Sequence, residues 1–123
     1  MGELAITVDQ IALQASWLDT NKAVREAFER TVPIAVEASR WGDELYGTVP
    51  IEVDPDETTI RVEPGTLAFW PDGTAVCLFW GPTPASVDET PVAASPVAPF
   101  AIVDRIDPLD DHEGDATLTI DCV

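Results

Sequence analysis

The chain has 123 residues, 46% of them hydrophobic, which suits one domain with its own core and excludes a disordered acidic tail. No apolar run reaches the roughly 18–20 residues that span a bilayer, so no membrane contact is expected. The formal net charge is −17, with 23 acidic and 6 basic residues, and this balance argues against binding to nucleic acid.

The charge balance also indicates the salt concentration in which the protein works. Lys22 is the only lysine, and abundant carboxylates with almost no lysine resemble the cytosolic proteins of salt-accumulating organisms. We therefore expect a halophilic origin, with an acidic mesophilic protein that binds cations or a basic partner as the alternative. The first four residues do not resemble a secretory signal, so a cytoplasmic location is expected.

The first part of the chain predicts two strands. Apolar residues alternate with period two over residues 4–8 and again over residues 11–17. Asp9 and Gln10 separate the two segments and are suited to a turn. Together these segments predict an antiparallel pair at the start of a β fold.

The next segment predicts the one convincing helix. Ala23, Val24, Ala27 and Phe28 have helical spacing, and the preceding residues 19–21, Asp-Thr-Asn, are all favourable helix caps. Lys22–Glu26 and Arg25–Glu29 form i,i+4 pairs on the outer face. Pro33 is predicted to end this helix because its ring cannot continue the hydrogen-bonding pattern.

Strands and turns are predicted for most of the remaining chain. The segments that alternate or form apolar runs are residues 34–38, 45–51, 59–63, 67–70, 75–80, 101–106 and 117–123. Residues 71–74, Pro-Asp-Gly-Thr, predict a hairpin turn. Residues 81–99 contain five prolines and are predicted to form neither a long helix nor a central strand. Seven or eight short strands with one helix predict a mainly β fold, a small closed barrel of about eight strands with one capping α-helix, over a single domain of residues 1–123.

The cysteines and the acidic loop near the C-terminus do not predict a metal or redox site. Cys77 and Cys122 lie in apolar strand-like segments, so reduced and buried thiols are expected rather than a disulfide or a catalytic thiol. Residues 110–115, Asp-Asp-His-Glu-Gly-Asp, do not have the spacing of the twelve-residue calcium loop, and a solvated loop is expected. We predict no metal and no cofactor.

Four segments carry a family resemblance. Residues 40–46 have the sequence Arg-Trp-Gly-Asp-Glu-Leu-Tyr, residues 64–71 Pro-Gly-Thr-Leu-Ala-Phe-Trp-Pro, residues 79–86 Phe-Trp-Gly-Pro-Thr-Pro-Ala-Ser, and residues 94–97 Ala-Ser-Pro-Val. In this order they resemble the small bacterial and archaeal cyclophilin-like family, over nearly the whole chain. The resemblance implies a compact eight-stranded cyclophilin-like barrel with a ligand-facing groove and no established reaction.

The resemblance and the aromatic content predict a ligand site. The predicted ligand-binding residues are Trp41, Glu44, Tyr46, Trp70, Phe79, Gly81, Pro82, Thr83 and Ser95. The alternatives are that the rings fill the barrel and that residues 81–84 form a proline-stiffened loop. Ser95 has no triad partners that would indicate a hydrolase.

The favoured function is binding of a small molecule or a proline-containing peptide in an aromatic groove, and the alternative is a divergent peptidyl-prolyl cis-trans isomerase. A third possibility is a protein that acts through surface partners. Isomerisation needs a hydrogen-bond donor to the prolyl nitrogen in a water-poor pocket. Arg40 is the only arginine in the four segments and is therefore the candidate catalytic residue, with a backbone N–H donor as an alternative. Arg40 could instead pair with Asp43 or Glu44.

Overall fold

The computed structural model describes residues 3–123, which form nine strands and one α-helix. The expectation about the N-terminus also involves Met1 and Gly2, which lie outside the described residues. The elements are β1 (Leu4–Val8), β2 (Ile11–Trp17), α1 (Lys22–Thr31), β3 (Ile34–Arg40), β4 (Glu44–Thr48), β5 (Thr59–Arg61), β6 (Thr66–Trp70), β7 (Ala75–Phe79), β8 (Val92–Val103) and β9 (Ala116–Cys122), with a short 3-10 helix at Asp107–Leu109.

The strands pair into a closed antiparallel ring. Their order is β2-β1-β9-β3-β4-β7-β6-β8, and β2 pairs with β8 again, from Ala15 opposite Val103 to Trp17 opposite Ala101. The ninth strand, β5, pairs with the first half of β8 outside this ring. Closure leaves no unpaired edge in the ring, because both neighbours of every strand in it are strands. The predicted closed β fold of about eight strands with one helix is confirmed.

The interior of the ring is filled by the alternating apolar residues that predicted the strands. Leu4, Ile6 and Val8 are fully buried. Leu118 is also fully buried, and Ile120 is almost completely buried. These side chains belong to one large core cluster, which we call the barrel core. The period-two pattern of β1 and β9 therefore reflects one face turned to this core and the other turned outward.

The helix packs onto the barrel core. Val24, Ala27 and Phe28 are its buried residues, and the ring of Phe28 stacks on Phe100 with the ring centroids 4.3 Å apart. The helix ends at Thr31, before the proline that was predicted to stop it. Such a stacked pair contributes packing beyond the simple burial of apolar area.

Asn21 lies at the N-cap position as predicted, but its side chain does not cap the helix. It has a left-handed backbone with φ 54°, and its amide instead joins three other backbone groups. The amide nitrogen donates to the Pro99 carbonyl at 3.0 Å, and the amide oxygen accepts from the N–H groups of Asp56 and Glu57 at 2.9 and 2.8 Å. Asn21 thus ties the start of the helix to the segment between β4 and β5.

The prediction that residues 81–99 contain no central strand is wrong from Val92 onward. The twelve-residue strand β8 passes through both Pro96 and Pro99. Proline is tolerated there because the pairing of β8 is irregular: the register with β5 shifts, and the register with β6 shifts just where Ala68 faces Pro99. Such irregularities leave ladder positions that need no N–H donor.

The two cysteines are both free, and they lie in different environments. Cys77 is buried, as predicted. Cys122 is exposed, so the prediction of burial is wrong there, because the last two residues of β9 both lie outside the core. Within residues 3–123, no helix is long and apolar enough to cross a membrane. No cluster of three or more histidine, cysteine, aspartate or glutamate side chains in that same range is arranged to hold a metal ion.

Candidate ligand-binding site

A cavity of about 210 Å³ lies on the outer face of the sheet formed by β4, β7 and β6. An apolar cavity of about 150 Å³ is large enough to hold benzene, whereas sites for drug-sized ligands start near 300 Å³. This cavity therefore has room for one ring or one branched alkyl group. Its lining residues are Trp41, Glu44, Tyr46, Trp70, Cys77, Ala93, Ala94, Ser95 and Val97.

Strand alternation separates this cavity from the barrel core. On β4, Leu45 belongs to the barrel core, while its neighbours Glu44 and Tyr46 point to the opposite face. On β7, Cys77 lies directly opposite Tyr46 in the antiparallel register and so shares its face. The apolar residues of this outer face form a second, smaller cluster, which we call the outer cluster, and Phe79, Ala93 and Val97 belong to it.

The aromatic wall of the cavity is fixed by direct contacts. Tyr46 and Trp70 meet edge to face with ring centroids 6.0 Å apart. The indole nitrogen of Trp70 donates a hydrogen bond to the Ser95 hydroxyl oxygen at 2.6 Å, which joins β6 to β8. Because these contacts are made within the protein, a ligand would meet a preformed wall.

Glu44 is the acidic group of the cavity, and only 5% of its surface is exposed. Burial raises the pKa of its carboxyl from an ordinary 4.5 to about 7, and a hydrogen bond with the Cys77 thiol acts in the opposite direction. Burial, followed by the charge of Glu44 and their hydrogen bond, raises the pKa of Cys77 well above its usual range. Glu44 therefore changes its protonation near neutral pH, while the Cys77 thiol stays protonated.

The turn that carries Trp41 is held by the proline-rich loop at residues 80–84. The Asp43 N–H donates to the Pro82 carbonyl at 2.9 Å, and the Trp80 N–H donates to the Asp43 carbonyl at 3.0 Å. Gly42 has φ 63°, and a Cβ there would lie 2.7 Å from Thr83 Cα. Only glycine allows this close approach, because a side chain would meet backbone that cannot move aside.

The cavity brings together five of the predicted ligand-binding residues, Trp41, Glu44, Tyr46, Trp70 and Ser95. The other four do not line it. Phe79 is fully buried in the outer cluster. Gly81 and Pro82 belong to the loop that supports the Trp41 turn, and buried Thr83 donates its hydroxyl to the Val92 carbonyl. None of these four residues contributes to the wall of the cavity.

Arg40, the candidate catalytic residue, does not line the cavity. Its guanidinium is paired with Asp43 at 2.9 Å, and it donates to the carbonyl of His112 at 2.7 Å and to that of Gly42. The same group lies over the Trp80 ring, 4.7 Å from its centroid. Asp43 and Glu44 are the two predicted partners of Arg40, and the structure contains the pair with Asp43. The contacts of Arg40 stabilise the turn that precedes β4.

Replacing Arg40 with alanine is expected to lower the free energy of unfolding by about 1–2 kcal/mol, because several charge-assisted hydrogen bonds of a partly exposed group are lost. Urea unfolding measures this change. Affinity at the cavity should stay within about twofold, since no lining residue is removed. Arg40→Lys is the matched control and should recover part of the stability. A large loss of ligand affinity in a folded Arg40→Ala protein would contradict this assignment.

Four lining residues were not predicted, namely Cys77, Ala93, Ala94 and Val97. Ala94 and Val97 belong to the segment Ala-Ser-Pro-Val, in which Ser95 alone is a predicted ligand-binding residue. Cys77 was placed in a predicted strand, but its position beside Tyr46 depends on the pairing of β4 with β7. That pairing joins segments about thirty residues apart, which local alternation cannot reveal.

The family comparison agrees with this architecture. The Cyclophilin-like family model matches residues 2–119, and the chain belongs to the cyclophilin-like family. The solution structure of the hypothetical protein AF2241 from Archaeoglobus fulgidus is similar, with a TM-score of 0.80 and 28% sequence identity over 99% of this chain and 95% of that one. No curated protein matches the chain. The predicted family is confirmed, and the comparisons bring no assigned activity with it.

Proposed function

We propose that this protein is a binding module whose cavity receives one small ring or branched apolar group, from a small molecule or from the proline of a peptide. The observation that carries the proposal is the cavity of about 210 Å³ on the outer face, with walls formed by Trp41, Tyr46 and Trp70. A concave apolar site with a few polar groups is the usual form of a ligand site.

The size of the cavity limits the expected affinity. A single ring buries a modest apolar area at about 25 cal/mol per Å², and the loss of translational and rotational freedom opposes binding. Dissociation constants between about 10 μM and 10 mM are therefore expected for a small ligand that fills it. Detection needs a method that tolerates weak binding.

Binding is favoured over isomerase activity by the chemistry of the lining residues. Isomerisation requires a donor to the prolyl nitrogen, and among the described residues that line the cavity none is basic. The Trp70 indole N–H is already used by Ser95. Arg40 directs its guanidinium to Asp43 and to the His112 carbonyl instead.

A titration followed by NMR tests the proposal. We expect N-acetylprolinamide and cyclopentanol to shift the indole N–H resonances of Trp41 and Trp70, which line the cavity. Trp80, a barrel-core residue, and Trp17, which packs against that core, serve as internal controls and should not shift. Exchange spectroscopy on a proline peptide in the same samples measures any acceleration of isomerisation. No shift at Trp41 or Trp70 with either probe would contradict the proposal.

A blocking variant makes the test specific. Ala94 is exposed at the cavity wall, so Ala94→Phe should obstruct the cavity without disturbing the core and should weaken binding at least about tenfold. Ala85→Phe is the matched control, because Ala85 is exposed and lies outside the cavity. Equal loss of binding in both variants would count against this cavity as the site.

A further inference from the structure

Glu44 is a nearly buried carboxyl group without a cationic partner in the described part of the chain. None of the salt bridges formed within residues 3–123 includes it. Its hydrogen-bond partner is the Cys77 thiol, a weak donor. A carboxylate in such a position is costly unless a positive group pairs with it.

Three aromatic rings share the cavity with this carboxyl group. Trp41, Tyr46 and Trp70 all line it, and the edge-to-face contact of Tyr46 with Trp70 sets two of the rings at 88° to one another. The face of an aromatic ring attracts cations, and several rings around one pocket are the usual recognition site for alkylated ammonium groups. An acidic side chain beside them adds direct charge complementarity.

The shortage of hydrogen-bond acceptors favours an alkylated ammonium group over a primary one. A primary ammonium has three N–H donors that each need an acceptor when they are buried. The remaining wall is mostly carbon, from Ala93, Ala94 and Val97, and the Ser95 oxygen already accepts the Trp70 N–H. Methyl or methylene groups on the nitrogen would instead contact the rings and these aliphatic side chains.

We propose that the cavity binds a small organic cation with an alkylated ammonium group, held among the rings of Trp41, Tyr46 and Trp70 and beside the Glu44 carboxylate. This inference rests on the proposed function and names the chemical class of its ligand. The net charge of −17 also favours a cationic ligand, because it raises the concentration of cations near the protein surface.

Binding of a cation is linked to ionisation of Glu44. Besides Glu44, the titratable groups that line the cavity are Tyr46 on β4 and Cys77 on β7. The adjacent turn contributes the Arg40–Asp43 ion pair. The lining residues of β8 carry no charge. A bound cation favours the ionised carboxylate, so binding below neutral pH must release a proton from Glu44.

The test compares choline chloride with 3,3-dimethyl-1-butanol, a neutral compound of nearly the same shape. Binding is followed by the Trp41 and Trp70 indole resonances at pH 8, with NaCl added to hold the ionic strength constant. We expect choline to bind wild-type protein at least about tenfold more tightly than the alcohol. Nα-acetyl trimethyllysine amide in the same titration separates a free ligand from a peptide side chain, and binding of either supports the ligand class.

Two variants locate the charge that matters. Glu44→Gln should weaken choline binding at least about tenfold while the alcohol stays within about threefold. Glu52→Gln makes the same change of charge at an exposed position outside the cavity and should leave both affinities unchanged. An unchanged choline affinity in folded Glu44→Gln would overturn the inference.

The outcomes separate the two proposals. Equal binding of choline and the alcohol by the wild type would overturn the cation inference and leave the apolar cavity as a binding site. No binding of any probe would overturn both. If Glu44→Gln does not fold, a pH series on the wild type replaces it. Because the pKa of Glu44 is about 7, choline should bind about tenfold more weakly at pH 6 than at pH 8. A flat pH profile would overturn the inference.

Discussion

Replacing Glu44 with glutamine is expected to raise the free energy of unfolding at pH 8 by about 2–3 kcal/mol relative to the wild type. The reason is the desolvation of the carboxylate, which raises its pKa from 4.5 to about 7. One pKa unit corresponds to about 1.4 kcal/mol, so ionising this group in the folded protein costs at most about 3.5 kcal/mol. Glutamine has a similar shape and carries no charge, and therefore removes that cost.

The sign of this effect depends on pH in a defined way. Below about pH 4.5 the carboxyl is protonated in both the folded and the unfolded chain, so the variant gains nothing there. As the pH rises from 4.5 to about 7, the unfolded state ionises first, and the wild type loses stability relative to the variant. Above about pH 7 the difference is complete.

Urea unfolding at pH 4, 6 and 8 measures this difference. Glu52→Gln is the control for the change in net charge, since Glu52 is exposed. If Glu52→Gln gave the same gain at pH 8, relief of overall repulsion would explain the result and burial of Glu44 would not. A Glu44→Gln protein less stable than the wild type at pH 8 would likewise contradict the argument.

The melting temperature of the wild type is expected to rise by about 10 °C or more between 0.1 and 1 M KCl. The chain carries 23 acidic residues against 6 basic ones, and their mutual repulsion opposes the compact state. The screening length falls from about 10 Å to about 3 Å over this range of salt, which removes most of the repulsion between exposed carboxylates.

The same measurement at pH 4 provides the control for this prediction. This pH lies near the ordinary pKa values of Asp and Glu side chains, so about half of such groups are protonated, the net negative charge falls, and the increase with salt should become smaller. A general effect of salt on apolar burial would act at both pH values and would grow steadily beyond 1 M. A flat melting temperature at pH 7 would contradict the repulsion argument and also the expectation of a halophilic origin, which stays a prediction.

Much of the fold could be predicted from local sequence because burial has a clear period in this chain. The alternation of Leu4, Ile6 and Val8 and the helical spacing of Val24, Ala27 and Phe28 each reflect one buried face. Strand β8 could be predicted only at its end, over residues 101–103, because the rules that exclude proline from strands assume a regular hydrogen-bonded ladder. Whether the partner strand shifts its register beside a proline depends on the assembled sheet.

The site could be predicted in part for a similar reason. The segments rich in aromatic residues, glycine and proline predicted that Trp41 and Trp70 belong to a ligand-binding site. They could not distinguish a side chain on the cavity wall from one that is fully buried in the outer cluster, such as Phe79. Arg40 illustrates the same limit: its place in the sequence suggested a donor for catalysis, and its direction in space is set by Asp43 and His112.

The back-to-back arrangement of the barrel core and the outer cluster has a consequence for how this architecture can diversify. The strands β4, β6 and β7 separate the two clusters, and residues such as Leu45 and Leu78 pack in the barrel core on one side of them. Side chains on the other side, such as Tyr46 and Trp70, line the cavity and pack against the outer cluster. Proteins built on this scaffold can therefore change their ligand by exchanging a handful of side chains, while the interior that keeps the chain folded stays as it is.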